Sequence, residues 1–164
     1  MALDYASLNN EALELFASGE AGKAAKLLRL SYGIEPSELA ILVNLGLALM
    51  QLGYDIPAEH CYQLALRSSE LKTRRSAAKN LGFLHLWRGN YQEGWDFHQR
   101  RFEGEALRRS QWKGEPLNGG TLVVWNDVGM GDAFQFARYT LPLIERGEKI
   151  ILAVDHSQIE IFKR

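Results

Sequence analysis

Asp132 is the residue whose setting speaks most directly of chemistry, because it follows Gly129 and Gly131 in the stretch DVGMGDA. A carboxylate placed just after a glycine turn can serve as a general base. Backbone N–H groups at such a turn, at the start of a helix, can also hold an anion. The stretch is not a dinucleotide fingerprint: the third glycine position is Phe134, and Asp132 would repel a phosphate. The plainer alternative is that Gly129 and Gly131 permit a tight turn and Asp132 caps the helix behind it. The histidines, His60, His85, His98 and His156, show no metal-ligand spacing, and no Ser/His/Asp or Cys/His arrangement stands out. No metal and no cofactor is expected. Cys61 is the only cysteine, which excludes an intramolecular disulfide and fits a reducing cytoplasm.

A second constellation is made of amides. Asn10, Asn44 and Asn80 recur with nearly constant spacing, Asn44 and Asn80 each just before a Leu-Gly pair (Leu45-Gly46, Leu81-Gly82) and Asn10 before Glu11-Ala12. A side-chain amide offers both donor and acceptor, so a row of them can pair with a peptide backbone whatever its sequence.

The elements that must position these residues are legible from the same spacing. Gly53, Ala58 and Tyr62 in the second segment are matched 36 residues later by Gly89, Gly94 and His98. Going back by 34 finds Gly19, Ala24 and Leu28, with Pro36 closing that segment. A helix–turn–helix unit of about 34 residues with these positions carries the tetratricopeptide signature. The mid-repeat glycines suit a left-handed helix cap, and the small residues let paired helices approach, with each Leu-Gly expected to face the later Ala. The spacing predicts helices at about 5–17, 21–33, 38–52, 56–69, 74–88 and 91–103, within repeats 5–38, 39–72 and 75–108. The expected fold is therefore mostly α: a tetratricopeptide α-solenoid of three helical hairpins over 5–104.

In such a solenoid the first helix of each repeat lines the concave inner wall. That places Asn10, Asn44 and Asn80 in one groove, beside Met50, Phe83 and Trp87, with Lys79 as its main charge. Leu13, Phe16, Leu47, Gln51 and Leu86 would neighbour them. The arrangement resembles the asparagine ladder of the peptide-threading solenoid of O-GlcNAc transferases. It implies a protein or peptide ligand. The plainer alternative is that asparagine is simply common at this position and that the C-terminal segment covers Phe83 and Trp87. The charged stretches Lys72–Arg75 and Arg100–Arg109 read as solvated helix ends.

Bulk properties narrow the partners. The 164 residues are 46% apolar with a formal net charge of −1, which gives no general attraction to nucleic acid or to anionic membranes. No stretch approaches the ~20 apolar residues of a spanning helix, and no leader is read at the N-terminus. A soluble, cytoplasmic protein is expected.

Beyond Phe102 the pattern changes. Residues 105–120 are glycine-rich and aperiodic, a linker. TLVVWN (121–126) and KIILAVD (149–155) are apolar runs suited to buried parallel strands. Between them DAFQFARYTLPLIERG reads as one helix running to Gly147, and HSQIEIFKR starts another. Residues 121–164 thus form a small βαβ Rossmann-like fragment.

The lead-in Gln111-Trp112-Lys113-Gly114-Glu115-Pro116-Leu117, the GMGD turn and the QFARY helix together resemble bacterial proteins that fuse tetratricopeptide repeats to a glycosyltransferase domain of the heptosyltransferase-like, two-Rossmann (GT-B) kind. The resemblance spans roughly 91–164 and implies Asp132 as the base that deprotonates an acceptor hydroxyl. Those enzymes bind the nucleotide-sugar mainly through a second Rossmann domain. The sequence reaches Arg164 after two strands, so these residues alone are not expected to be an enzyme. The leading expectation is a binding scaffold with a non-catalytic remnant; the alternative is a truncated piece of a glycosyltransferase. A two-stranded parallel sheet leaves open edges, so the segment is expected to dock on the third repeat or to pair two copies as a homodimer.

Overall fold

The structure is a computed structural model that describes residues 4–104, 111–125 and 129–163. The chain divides into two compact units, Met1–Arg108 and Arg109–Arg164.

The first unit is built from α1 (Tyr5–Ala17), α2 (Ala21–Ile34), α3 (Ala40–Gln51), α4 (Asp55–Ala65), α5 (Leu71–Trp87) and α6 (Tyr91–Arg100). Each odd helix packs on the even helix that follows, each even helix passes contact to the next pair, and α1 touches α3 as α3 touches α5. This is a stack of three hairpins with the odd helices forming one wall. Asp4 starts the stack by accepting a hydrogen bond from the Ser7 amide at 3.1 Å.

The turns inside the hairpins show why the glycine spacing matters. Gly19, Gly53 and Gly89 adopt φ of +86°, +77° and +81°. In each the following residue donates back to the helix: Glu20 to Leu15 at 2.8 Å, Tyr54 to Leu49 at 2.9 Å and Asn90 to His85 at 2.9 Å. These are Schellman caps, whose left-handed residue is inexpensive only for glycine. Pro36 lies just beyond the end of α2, where it cannot continue a helix.

The two-residue excess in the spacing from the second repeat to the third is taken up largely by helix rather than loop. Helix α5 has 17 residues against 12 in α3, starting at Leu71 where 74 was expected. Arg74 holds the preceding turn by donating to the carbonyls of Ser68 and Ser69, both at 2.9 Å.

The core runs through all three hairpins. Ala12, Leu28, Ile41, Ala48, Ala58, Tyr62, Ala65, Ala77 and Leu81 belong to one buried cluster. Burying a leucine- or isoleucine-sized side chain contributes about 2 kcal/mol. The small residues do allow close approach: in repeat three Gly82 meets Gly94, the position of the later Ala, as expected, whereas in repeat two the nearest neighbour of Gly46 is a ring. A β-carbon on Gly46 would collide with the Tyr62 ring, not with Ala58, and one on Gly82 would meet the backbone of His98 and Gly94. Gly94 in turn is pressed against Leu86. A bulky aromatic side chain lies over the glycine in repeat two, and backbone itself does so in repeat three.

The first hairpin has a polar outer side. Glu11 and Glu14 are exposed where their counterparts Leu45, Leu81, Ala48 and Leu84 are buried.

In the second unit β1 (Thr121–Trp125) and β2 (Lys149–Ala153) pair in parallel, with Thr121 opposite Lys149 and Trp125 opposite Ala153. Between them the chain forms α7 (Met130–Ala137), a 3-10 turn at Arg138–Thr140 and α8 (Leu141–Glu145). A single helix was expected here. Pro142 lacks the N–H that would bond to the carbonyl four residues back, so the helix restarts with proline in its first turn. Strand β2 ends at Ala153 rather than 155. A 3-10 turn at His156–Gln158 and α9 (Ile159–Phe162) follow. Residues 111–120 have no regular structure, and Trp112 Nε1 donates to the Glu115 carbonyl at 2.6 Å. The rest of the expected linker, 105–110, and Asn126 lie outside the described residues.

Along both strands alternate residues are half-buried and exposed: Leu122, Val124, Ile150 and Leu152 are half-covered, and Val123, Trp125 and Ile151 face outward. No apolar side chain among the described residues of this unit is buried. Among the described residues, no helix is long and apolar enough to cross a membrane.

Candidate functional site

The wall of odd helices presents the residues singled out from the sequence, but not as an even row. Asn10 is exposed on α1. Asn44 on α3 is half-buried and donates its Nδ2 to Asn9 Oδ1 at 3.0 Å, so its amide already bridges the first two hairpins. Asn80 on α5 is buried, at 9% exposure. The equivalence of the three positions did not reveal Asn9, because it stands one place earlier in the helix, where the later repeats carry Val43 and Lys79.

The apolar members of the wall are more open. Leu13, Leu47 and Phe83 occupy equivalent positions; Leu13 is 40% and Phe83 49% exposed, with Leu47 half-buried. Met50 is half-buried against the core cluster. Trp87 is 83% exposed, and Lys79 is exposed. Phe83 belongs to a small aromatic group: its ring lies 5.5 Å from that of His98, which Trp95 meets edge-on at 5.3 Å. Edge-on and tilted pairs of this kind are favourable beyond their area. Nothing in the repeat spacing signals Trp95, which comes from the neighbouring helix α6.

Charge is distributed unevenly over the odd helices. Helix α1 carries Glu11 and Glu14 and no base, α3 carries no charge, and α5 carries Lys72, Arg74, Arg75 and Lys79 with no carboxylate. The two arginines are engaged. Arg74 Nη2 lies 3.1 Å from Glu103 Oε1, and Arg75 Nε donates to the Glu103 carbonyl at 2.7 Å. They tie α5 to the turn after α6 instead of standing solvated at a helix end.

Between the second and third hairpins lies a charged joint that the sequence reading missed. His85 on α5 is buried, with Nδ1 3.1 Å from Glu93 Oε2 and Nε2 3.7 Å from Glu59 Oε1. The Nδ1 contact has an ion-pair distance without the alignment of a hydrogen bond. His85 stacks on Phe97 at 5.4 Å, and Arg88 pairs with Glu59. These residues come from three helices, so no sequence spacing announces them. A shallow cleft of about 590 Å³ beside the Gly53–Pro57 turn also touches Arg88. Cys61 is half-buried, and burial pushes its thiol above the ordinary value against the opposing pull of Arg29.

In the second unit Gly129 is the N-cap of α7, in extended conformation, and Asp132 is half-buried in the helix's first turn. The reading of Asp132 as the cap is thereby replaced: the cap position is a glycine, and Asp132 stands three residues further in, where a carboxylate complements the helix dipole. Gly131 is exposed beside it. Asn126, Asp127 and Val128, which join this turn to β1, lie outside the described residues. Among the described residues no cluster of three His, Cys, Asp or Glu side chains is placed to hold a metal.

No protein-family model and no curated protein matches the chain. Among solved structures, the tetratricopeptide-repeat (TPR) domain of Sgt2 from Aspergillus fumigatus is similar at a TM-score of 0.56 and 21% identity, covering 64% of this chain and 72% of that one. The likeness is one of fold: the helical hairpins are stacked as in a tetratricopeptide-repeat domain.

Proposed function

We propose that the first unit is a protein- or peptide-binding scaffold, and that the second is a non-catalytic remnant of a glycosyltransferase-like domain. The observation that carries the scaffold reading is the wall of odd helices. Leu13, Phe83 and Trp87 stay open to solvent on it, next to amides and to Lys79, which among the described residues pairs with no carboxylate. Open apolar side chains with polar neighbours are what a partner surface offers. In this reading the wall is the concave groove, and Asn10, Asn44, Asn80, Lys79, Met50, Phe83 and Trp87 are its contact residues. The test is panning of a random peptide library on the chain. Enrichment of binders is expected, and its absence overturns the reading.

Asp132 supports a second reading, in which residues 121–164 are the opening of a two-Rossmann glycosyltransferase. In sequence Asp132 follows the C-terminal end of the parallel strand β1 by seven residues, and that end of a strand is where open α/β sheets bind ligands. In a thermal-shift screen with nucleotide-sugars a rise in melting temperature would favour this second reading, since only binding to the folded state raises it. No shift is expected. The outward Val123, Trp125 and Ile151 are the support for pairing of two copies through the sheet, and light scattering showing a monomer at high micromolar concentration removes that part.

A further inference from the structure

Four exposed side chains of α5 form a single stripe. Lys72, Lys79, Phe83 and Trp87 follow at i, i+7, i+11 and i+15, and all four are exposed. At 3.6 residues per turn they fall within an arc of roughly 80° and extend over about 22 Å of helix. The stripe has a cationic half and an aromatic half.

The cations are free to act on a ligand. Of the four on α5, Arg74 and Arg75 are held by Glu103, as described above. Among the described residues Lys72 and Lys79 pair with no carboxylate. No acidic residue lies on α5 or on the adjoining wall helix α3.

A ligand running across the wall, from α1 over α3 to α5, meets an interrupted row. Asn44 has given its amide to Asn9, Asn80 is buried, and α3 offers no charge. Along α5 the row is continuous.

We propose that the scaffold takes an acidic amphipathic peptide that binds as a helix lying along α5, its carboxylates over Lys72 and Lys79 and its apolar side chains over Phe83 and Trp87. This rests on the scaffold reading and adds to it the ligand's charge, conformation and direction. Charge complementarity selects the acidic partner, and the axial run of the stripe selects a helix, which presents a matching row at i, i+4 and i+7. Two free lysines on a chain of net charge −1 attract a phosphate backbone weakly, so a peptide is favoured over a nucleic acid.

The test pans phage-displayed random peptides of about 16 residues, enough to match the stripe as a helix, on the whole chain. Enriched sequences are synthesised and titrated by fluorescence anisotropy against four proteins: unmodified, Trp87→Ala, Lys72→Glu with Lys79→Glu, and Asn44→Ala. Circular dichroism confirms that each is folded. Net-negative binders with aromatic or leucine side chains are expected. Trp87→Ala should weaken them about thirtyfold, the loss typical of a central aromatic contact. The double charge reversal should weaken them about tenfold at low salt and less at high salt. Asn44→Ala, on the neighbouring wall helix, should weaken them less than either α5 variant.

Binders that are neutral or basic overturn the proposal. So do binders that ignore the α5 variants and fail on Asn44→Ala, an outcome in which the scaffold reading survives. A library that yields no binder removes both. A labelled single-stranded oligonucleotide that binds the unmodified chain tightly and loses that binding on the double reversal, while peptides do not bind, replaces the peptide by a nucleic acid.

Discussion

The backbone of Gly82 lies directly against the backbone of His98, so that a β-carbon at Gly82 would stand 2.8 Å from the His98 nitrogen and 3.0 Å from its Cα. The two helices of the third hairpin meet here with no side chain between them. Gly46, its counterpart in the second hairpin, is covered by a ring, with Tyr62 Cζ 2.7 Å from the same hypothetical atom. A ring can tilt away from an added methyl group, but two packed backbones must separate.

Gly82→Ala is therefore expected to cost about 3 kcal/mol, at the upper end of overpacking penalties, despite alanine's better helix propensity. Gly46→Ala should cost about 1 kcal/mol, since the Tyr62 ring absorbs part of the strain. Urea denaturation of the two variants measures both. Equal losses would show that the two crossings are alike.

Tyr62 brings its own expectation. Its side chain is buried, and its hydroxyl finds no hydrogen-bond partner among the described residues. Removing a buried unsatisfied group costs little or stabilises. Tyr62→Phe should leave stability at neutral pH unchanged or raise it by up to about 1 kcal/mol. Burial also pushes the phenol well above its ordinary value, with Cys61 adding to the rise. A group held protonated in the fold contributes stability that is present below its unfolded pKa, about 10, and is lost as pH rises beyond it. Denaturation followed from about pH 9 to pH 11 should thus fall more gently for Tyr62→Phe than for the unmodified chain. Parallel curves would contradict the burial of the hydroxyl.

These crossings also mark where the sequence was legible and where it was not. Gly19, Gly53 and Gly89 could be assigned from spacing because a left-handed cap is a local requirement, satisfied by one residue type. Gly82 meets Gly94 as the spacing predicted, but the Tyr62 ring over Gly46 and the His98 backbone against Gly82 depend on how far one helix slides along another, which repeat spacing does not encode. The break at Pro142 was readable, since a missing N–H interrupts any helix. Asn10, Asn44 and Asn80 look alike in sequence yet differ in burial. Asn10 is exposed, Asn44 is bridged to Asn9, and Asn80 is buried. The joint around His85 draws on α4, α5 and α6, so only folding assembles it.

Glycines of the two conformational kinds should respond oppositely to the same substitution. Gly53 has φ of +77° and nothing within 4 Å of an added β-carbon, so Gly53→Ala tests the cap alone. It should cost about 1 kcal/mol, the penalty of a left-handed alanine. Gly22 lies inside α2 with equally open surroundings and an ordinary helical φ. Gly22→Ala should stabilise by about 0.5–1 kcal/mol through helix propensity and reduced freedom of the unfolded chain. Thermal melts of the pair give the signs directly, and a stabilising Gly53→Ala would refute the cap.

Glu59 offers the sharpest test of how the hairpins are coupled. It stands on α4 and reaches across to α5, where it pairs with Arg88 and lies 3.7 Å from His85 Nε2. The pair is largely shielded, with Glu59 and Arg88 side chains 21% and 26% exposed, so it is worth more than a surface ion pair. Glu59→Ala leaves Arg88 half-buried without its acceptor and should cost about 1–2 kcal/mol. In a linear stack each hairpin is stabilised by its neighbours, so loss at one joint is felt mainly beyond that joint. Hydrogen exchange should then show protection falling in α5 and α6 while α1 and α2 hold theirs. Glu59→Gln, which keeps one acceptor for Arg88, should restore part of it. A uniform loss across all six helices would mean that the unit unfolds as one cooperative block, and that the joint contributes no more than any other contact.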